Sequence, residues 1–379
     1  MNVFKKFAAM TLASAVVLGT LAGCGSSGGD TAAPAGSGAA PAATGGATKD
    51  ISEISVGVSL GTLKQERWAR EAEMFQQYAD DNGFSIDIQS ANDDNSLQVS
   101  QCENMINKGI DVLLLQALDA SAVSPIIEEA HDAGIKVISY DRFCMNCDLD
   151  YYITFDSVKV GEVEAQFVVD AAPKGNYIVL RGGPEDNNAR LVAEGQDNIL
   201  NPLIEKGDIK VVTDQWCDGW DPNVALEHTE NGLTACNNDL QGLIASNDGT
   251  CGGAIQALAE QGLAGKVPTC GQDADLAACQ RIVEGTQTGT VFKPTVLLNK
   301  AACQLAVACA TGAEDEKGAI DSELGVWTTL NNDQKDVDSF SVDVIPVTAD
   351  NMYDIICKEY EYHSVEDVYA NVPKDQWPE

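Results

Sequence analysis

The sequence predicts an α/β protein of two similar lobes, each built on a parallel sheet with helices on both faces. From residue 54 onward, short apolar runs rich in β-branched residues alternate with stretches of helical periodicity. Runs that are apolar throughout are typical of strands buried on both faces, as in parallel sheets covered by helices. The alternation restarts after "YYITFDS" (151–157), and the body of about 330 residues is long enough for two domains of ordinary size.

The first lobe begins with the run "ISVGVSLGT" (54–62). The helix predicted after this run presents one apolar face, because apolar residues recur in it at the period of an α-helix. These residues are Trp68, Ala72, Phe75 and Ala79. Three more strands of this lobe are predicted in "FSIDIQSAND" (84–93), "DVLLLQALD" (111–119) and "KVISYDR" (136–142).

The second lobe repeats the pattern after residue 157. Each of its apolar runs ends in polar residues and is followed by a helical stretch. The runs are "NYIVLRGGPEDNNAR" (176–190), "IKVVTDQWCDGW" (209–220), "GLIASNDGTCGG" (242–253), "KVPTCGQDAD" (266–275) and "TGTVFKP" (288–294). Two such series predict two lobes of the same architecture.

The N-terminus has the pattern of an export signal. Lys5 and Lys6 precede an apolar stretch that is shorter than the ~20 residues of a membrane span, and "LAGC" (21–24) follows. This ending resembles the lipobox of bacterial lipoproteins, which implies a signal peptide over 1–23, cleavage before Cys24 and lipid on its thiol. The alternative is an ordinary secretory signal. Residues 24–50 are rich in Gly, Ala, Ser and Pro and are expected to form a flexible linker.

The charge of the chain excludes some classes of partner. It carries 58 acidic and 23 basic residues, a formal net charge of −35. Such a charge disfavours nucleic acid and anionic lipid as partners, and it suits a solvated extracytoplasmic protein. No second long apolar run follows the signal, so no other segment is expected to span a membrane.

The cysteines do not indicate a metal site. Of the 12 cysteines, 11 remain once Cys24 is set aside, so at least one is unpaired or intermolecular. Cys102 stands at apolar helical spacing and is expected to be a core thiol. Cys144 and Cys147 form a CxxC pair, either a local disulfide or two free thiols. Zinc needs about four ligands, and the sequence has no second CxxC and only 3 histidines.

Polar residues follow the predicted strands, at the sheet edge where open parallel sheets bind ligands. Carboxylates, amides and guanidinium groups dominate this set, and none is an obvious nucleophile with a base. Each hydroxyl of a sugar both donates and accepts a hydrogen bond, and the C–H faces of a pyranose stack on flat rings, so this set suits a neutral polyol. The residues just after the predicted strands are Arg67, Trp68, Asp141, Arg142, Asp186, Asn187, Asn188, Trp216, Trp220, Asn247, Asp248, Gln272, Asp273 and Lys293.

Several segments resemble one family in one order along the chain. These are "ERW" (66–68), "QSAND" (89–93), "ENMINKGIDVL" (103–113), "YDR" (140–142), "DNNA" (186–189), "DQWCDGW" (214–220), "SND" (246–248), "GGAIQALAEQGLAGKV" (252–267), "GQDADL" (271–276), "GTQTGTVFKP" (285–294) and "TTLNN" (328–332). They resemble the periplasmic binding proteins of the ribose/galactose type, and closely the D-xylose-binding proteins of ABC transporters. The tail from about residue 360 lies beyond these motifs.

The resemblance implies a type I periplasmic binding protein fold, in which two Rossmann-like lobes close on a sugar. Three hinge crossings are then expected near 154–157, 292–295 and 325–342. The N-terminal lobe would comprise 51–155 and 294–327, and the C-terminal lobe 156–293 and 328–379. The resemblance also implies that nine of the residues after the strands contact the sugar: Arg67, Trp68, Asp141, Arg142, Asn188, Trp220, Asn247, Asp273 and Lys293.

The expected function is that of an extracytoplasmic, lipid-anchored monomer that captures a monosaccharide, most plausibly D-xylose, and delivers it to an ABC permease. Glucose or another pyranose, and a sugar-sensing receptor subunit, remain as alternatives. The resemblance implies no cofactor.

Other interpretations of the same residues were weighed. Asp141 and Asp273 on facing lobes would be a glycosidase pair, but the nearby cations would keep both ionised, so no enzyme is predicted. "SNDGTCGG" (246–253) and "RGG" (181–183) do not match a phosphate-loop pattern. Trp68 also fits a core position and Lys293 a plain surface position. Asn187 and Asp248 fit helix N-caps.

Overall fold

A computed structural model describes residues 49–378. The predicted signal peptide over 1–23 and Cys24 with most of its linker therefore lie outside the described residues. The strands are β1 Ser55–Leu60, β2 Ser85–Ser90, β3 Val112–Gln116, β4 Lys136–Tyr140, β5 Tyr151–Phe155, β6 Gly175–Arg181, β7 Ile209–Trp216, β8 Gly242–Ala245, β9 Thr269–Gln272, β10 Gly289–Phe292, β11 Val326–Asn331, β12 Asp336–Val342 and β13 Ile345–Val347.

Helices connect most of these strands. The α-helices are α1 Glu66–Asn82, α2 Asn95–Lys108, α3 Ser124–Asp132, α4 Ser157–Ala171, α5 Asn187–Glu205, α6 Pro222–Ala235, α7 Asp248–Glu260, α8 Leu276–Val283, α9 Thr295–Thr311 and α10 Val365–Val368. A π-helical segment covers Tyr353–Glu359, and short 3-10 turns cover Ile51–Glu53, Asp218–Trp220, Lys317–Ala319 and Lys374–Gln376. Among residues 49–378, no helix is both long and apolar enough to cross a membrane.

The strands form two sheets. The first has the order β11-β12-β5-β4-β3-β1-β2 and the second the order β13-β10-β9-β8-β6-β7. Within each sheet all neighbours are parallel except the edge pairs β11–β12 and β10–β13, which are antiparallel. The predicted α/β fold with two mostly parallel sheets is confirmed.

Helix α1 shows how the sequence pattern builds a layer. Trp68, Phe75 and Ala79 are buried, and they pack in the core cluster of the first lobe with residues of β1, β3 and α9. The helix ends at Gly83, whose φ of 79° is the left-handed conformation that glycine adopts readily at a helix C-terminus. Because α1 follows β1 directly, its first turn lies at the carboxyl edge of the sheet.

The chain passes between the sheets three times, and the third passage corrects the predicted lobe boundary. β5 is followed by α4, which packs on the second sheet, and β10 is followed by α9, which packs on the first. The third passage joins β12 to β13 and falls between Val342 and Ile345. Assigning 328–342 to the C-terminal lobe was therefore wrong, because β12 pairs with β5 of the first sheet and Phe340 packs in the first core.

The tail beyond β13 packs on the second lobe. Met352, Ile356 and Val368 are buried against Ile282 and Phe292 of that lobe. A π-helical segment and a short helix therefore form a cap of apolar contacts over the edge of the second sheet.

Candidate ligand-binding cleft between the lobes

One cavity lies between the carboxyl edges of the two sheets. All nine residues selected from the sequence line it: Arg67, Trp68, Asp141, Arg142, Asn188, Trp220, Asn247, Asp273 and Lys293. Asp186 and Gln272, which follow strands but are not among the sugar contacts that the resemblance implies, line it too, as do Gln65, Thr154, Phe155, Ser157 and Val192. Residues chosen because they follow strands of the parallel sheets thus lie around one shared cavity. That they contact a ligand stays a prediction.

Arg67 joins carboxylates of both lobes. Its Nη2 donates to Asp141 Oδ2 at 2.8 Å in the first lobe, and its Nη1 lies 3.5 Å from Asp273 Oδ1 in the second. Its Nε donates to Glu71 Oε1 at 2.6 Å, one helical turn along α1. The guanidinium is only 2% exposed, so three carboxylates compensate the cost of burying its charge.

Asp141 stands in an unusual backbone conformation at the end of β4. Its φ is 61°, and such a conformation in a residue with a side chain costs about 1–3 kcal/mol. The surrounding bonds hold it there, because its carbonyl oxygen accepts from Tyr152 Oη at 2.7 Å and from Asn188 Nδ2 at 2.6 Å. Asn188 belongs to the second lobe, so the Asp141 backbone is part of the junction between the lobes.

Two ion pairs lie among the residues that line the cavity. Arg142 Nε lies 3.0 Å from Asp186 Oδ2 across the lobes, and both side chains are 4% exposed. Lys293 Nζ lies 2.8 Å from Asp273 Oδ1 at the second crossing between the lobes. Both the cation and the carboxylate of each pair can bond a hydroxyl group, because the guanidinium and ammonium only donate and carboxylates only accept.

Helix N-termini position the polar side chains of the second lobe. Asn247 is the N-cap of α7, where its Oδ1 accepts from the backbone N–H of Thr250 at 2.8 Å. Asp186 is the N-cap of α5 and accepts from the N–H of Asn188 at 2.9 Å. The proposed capping roles of Asn187 and Asp248 were therefore wrong by one position each.

Trp220 lies against a glycine pair that the sequence analysis did not connect with it. A Cβ on Gly182 would fall 2.3 Å from the indole Cη2, and one on Gly183 would fall 2.9 Å from Cδ1. The two glycines of "RGG" thus let the indole lie flat on the backbone that follows β6. Trp220 itself has a φ of 57°.

The first lobe contributes the other flat surfaces. The Arg67 guanidinium lies 4.2 Å from the ring centroid of Trp68, and Lys293 Nζ lies 5.7 Å from that of Phe155. Phe155 is the last residue of β5. It therefore lies at a strand end, although the sequence analysis did not name it as a candidate. Trp216 is not among the residues that line the cavity, and the guanidinium carbon of Arg190 lies 5.8 Å from its ring centroid.

Buried charge sets the ionisation of the cleft. Burial raises the pKa of the Asp141 carboxyl, but Arg67, Lys293 and Arg142 more than reverse this, and the pKa lies below its ordinary value. Burial raises the pKa of Asp186 and of Glu71 above their ordinary values, since the neighbouring arginines offset it only in part. Asp141 is therefore ionised at neutral pH and is not a proton donor there.

Some buried polar atoms of the cleft have no aligned hydrogen bond. Over residues 49–378, seven buried side-chain nitrogen or oxygen atoms lack one, and three of them belong to cavity residues. The three atoms are Arg142 Nε, Trp220 Nε1 and Asp273 Oδ1. Arg142 Nε lies 3.0 Å from Asp186 Oδ2, and Asp273 Oδ1 lies 2.8 Å from Lys293 Nζ, so Trp220 Nε1 is the one of these three atoms with no polar partner.

The cysteines near the cavity are thiols. All eleven cysteines within residues 49–378 are unpaired, and Cys144, Cys147, Cys217, Cys251 and Cys270 are fully buried. Cys144 and Cys147 are therefore free thiols, the second of the two predicted alternatives. Cys102 is a core thiol, as the helical spacing predicts.

Comparison with known proteins identifies the family. The family model of the periplasmic binding protein domain matches residues 56–314. The chain belongs to the periplasmic binding protein family. The D-xylose-binding periplasmic proteins of Escherichia coli and Haemophilus influenzae are 46% and 45% identical to it, over 81% and 84% of this chain and 90% and 92% of theirs. The resemblance found in the sequence is confirmed.

More distant relatives share the fold. A multiple sugar-binding periplasmic receptor of Rhizobium radiobacter is 32% identical over 82% of this chain and 91% of its own length. The carbohydrate transporter solute-binding protein of Chloroflexus aurantiacus, solved in complex with D-glucose, superposes with a TM-score of 0.75 at 31% identity. That comparison covers 83% of this chain and 98% of the other.

Proposed function

We propose that the protein binds a monosaccharide, D-xylose in the first place, in the cavity between its lobes. The observation that carries the proposal is the composition of that cavity. Carboxylates, guanidinium groups, an ammonium, amides and two indoles converge on one site, and the buried Trp220 Nε1 there has no hydrogen-bond partner. Hydrogen bonds to charged groups stabilise by ~1.5–3 kcal/mol each, which suits a ligand made of hydroxyl groups.

The choice of D-xylose is supported by the relatives named for it, which are 45–46% identical over most of the chain. Glucose or another pyranose remains the alternative, since the relative solved with D-glucose is 31% identical. Xylose and glucose differ by one hydroxymethyl group. Discrimination would follow from whether the closed cavity has room for that group.

The proposed mechanism is closure of the lobes around the sugar. Each lobe supplies half of the site: Asp141 and Arg142 from the first, Asn247 and Asp273 from the second. A sugar that bonds to both halves favours the closed arrangement by the free energy of those added bonds. The closed surface, which spans both lobes, would be presented to the permease of an ABC transporter.

The remaining parts of the proposal concern location and role. Export, cleavage before Cys24 and lipidation of that residue would hold a monomer outside the cell membrane. The alternative to a role in transport is that of a sensor subunit, which presents the closed form to a membrane receptor. No catalysis is proposed, because Asp141 is ionised and lacks the proton that a glycosidase acid must donate.

Calorimetry against a panel of pentoses and hexoses tests the ligand. We expect binding of D-xylose to exceed that of D-glucose and of pentoses with other hydroxyl configurations. Absence of heat for every sugar would refute sugar binding, and tighter binding of a hexose would move the assignment to that sugar.

Lipid labelling of the wild type and of Cys24→Ser tests the anchor, since only the wild type is expected to carry lipid.

A further inference from the structure

The C-terminal tail contains a segment that lies outside the sequence motifs of the cleft. Residues 360–363 follow the π-helical segment and are fixed to the second lobe. The ring centroid of Tyr362 lies 4.9 Å from that of Phe292, and His363 Nε2 lies 2.8 Å from the carbonyl oxygen of Ala274. Since a carbonyl only accepts, Nε2 carries the proton and Nδ1 is the acceptor of this histidine.

The same segment also contacts the first lobe. Arg70 of α1 donates from Nη1 to the carbonyl oxygen of Tyr362 at 2.9 Å, and its guanidinium carbon lies 4.0 Å above the Tyr362 ring. Its Nη2 lies 3.3 Å from His363 Nδ1, the acceptor nitrogen. Arg70 therefore makes three contacts with two consecutive residues of the tail.

Glu66 completes this junction. Its Oε1 accepts from Arg70 Nη2 at 3.0 Å, and its Oε2 accepts from the backbone N–H of Leu276 in the second lobe at 3.2 Å. Neither Arg70, Tyr362 nor His363 lines the ligand cavity. The first turns of α1 thus carry two separate functions on neighbouring residues: Arg67 faces the cavity, while Arg70 faces the tail.

We propose that Tyr362 and His363 form a latch on Arg70 that stabilises the closed arrangement of the lobes, so that Arg70 sets the affinity for ligand without touching it. The proposal rests on the proposed function as far as the ligand is a sugar. A charge-assisted hydrogen bond and a cation–π contact across a junction of two moving bodies are present only when the bodies meet. The latch therefore adds its free energy to closure rather than to the folding of either lobe.

Arg70→Ala is the variant that tests the latch, and Lys317→Ala is its matched control. Lys317 Nζ lies 5.0 Å from the ring centroid of Trp327 and 2.9 Å from Asp338 Oδ1, and both partners belong to the first lobe. Each substitution removes one cation, one cation–π contact and the ion pair of that cation; Arg70→Ala also removes the hydrogen bonds to Tyr362 and His363. Only Arg70→Ala removes contacts between the lobes.

The readouts are the dissociation constant and the dissociation rate for D-xylose and for every other sugar that binds. We expect Arg70→Ala to weaken binding about tenfold, mainly through faster dissociation and by the same factor for each sugar, while Lys317→Ala leaves binding unchanged. A residue that touched the sugar would change the order of preference instead. The ligand-free variants should unfold at similar temperatures.

A second measurement needs no ligand. Small-angle scattering of the ligand-free chains compares how far the lobes stand apart, and we expect a larger radius of gyration for Arg70→Ala than for the wild type. If wild-type protein binds sugar and Arg70→Ala binds it equally well, the latch is refuted and sugar binding stands. If wild-type protein binds no sugar, the proposed function is refuted, and equal scattering profiles would then refute the latch as well.

Discussion

At the scale of single residues, the cleft combines buried charge with backbone conformations that side chains rarely adopt. Asp141, Trp220 and Asp273 have φ values of 61°, 57° and 98°. Each costs about 1–3 kcal/mol, and such costs persist only where the surroundings fix the conformation. Three of the residues that line the cavity therefore have a backbone conformation that the surrounding fold must hold in place.

Replacement of Asp141 by asparagine removes a charge and keeps the shape. Arg67 then loses its carboxylate partner at 2.8 Å, and a sugar loses an acceptor that bonds two hydroxyl groups. We expect affinity for D-xylose to fall at least tenfold, about 1.4 kcal/mol, in calorimetry. The control is Asp148→Asn, which breaks an exposed ion pair with Lys335 at 2.6 Å and should leave affinity unchanged. Equal affinity for the wild type and Asp141→Asn would remove Asp141 from the site.

Gly182→Ala tests the support of the stacking surface. The added methyl group would fall 2.3 Å from the Trp220 ring, so the indole must move. We expect weaker sugar binding, several-fold or more, and an altered tryptophan fluorescence spectrum. Gly249→Ala is the control, because its Cβ would meet nothing nearer than 3.6 Å. Unchanged sugar binding by Gly182→Ala would mean that binding does not depend on the position of the Trp220 indole.

The sequence revealed much of this site for a physical reason. The carboxyl ends of parallel strands meet at one edge, so polar residues after each run converge whatever the details of packing. The same reasoning did not identify Glu71, because it lies within a helix and not after a strand. An Arg–Glu pair four residues apart on a helix ordinarily indicates a solvated surface pair. The structure buries it completely beneath Arg67, and only tertiary packing decides between these outcomes. The contact between Gly182 and the Trp220 indole joins segments that are distant in the chain. No local sequence pattern predicts it.

At the scale of elements, the error in the lobe boundary has a similar origin. β12 reads "DVDSFSV", an alternating pattern that fits an outer strand of either sheet. Its assignment to the first sheet depends on pairing with β5, nearly 200 residues earlier in the chain, and strand pairing over such distances has no signature in one sequence. The tail likewise shows periodicity but no indication of which lobe it covers.

If the latch controls closure, we expect sugar affinity to be sensitive to acid through His363. Burial lowers the pKa of this histidine, and Arg70 of α1 lowers it further, while the Ala274 carbonyl, Glu66 of α1 and Asp367 of α10 oppose the shift without reversing it. Protonation would place a second donor opposite Arg70. The contribution of the latch to closure is therefore complete above the ordinary histidine pKa of about 6.5 and declines as pH falls below it.

Titration of sugar affinity between about pH 8 and pH 5 checks this. We expect the wild type to lose affinity below about pH 6.5, and His363→Gln, which keeps an amide donor and acceptor but does not titrate, to lose less. Burial raises the pKa of Asp186 in the cleft as well, so the difference between the two curves is the quantity that counts. Two superimposed curves would show that His363 does not control closure.

At the scale of the whole molecule, the two lobes share one cavity and are joined by several connections. The chain crosses between the lobes three times, and Arg142–Asp186 and Asn188–Asp141 bonds span the cleft. Neither lobe is a continuous segment: the first sheet takes its last two strands from beyond residue 325. A sugar that bonds to both halves therefore stabilises the two lobes together rather than one of them.

Scanning calorimetry with and without D-xylose tests this coupling. A ligand present at 100 times its dissociation constant raises the free energy of unfolding by about 2.7 kcal/mol if it binds only the folded chain. Because the ligand contacts both lobes, we expect the whole unfolding transition to move to higher temperature as one peak. Arg142→Ala should reduce the shift, since it removes a ligand contact and an interlobe ion pair at 3.0 Å together. A scan in which sugar splits the transition, with one peak left in place, would mean that the ligand is held by a single lobe and that closure plays no part in binding.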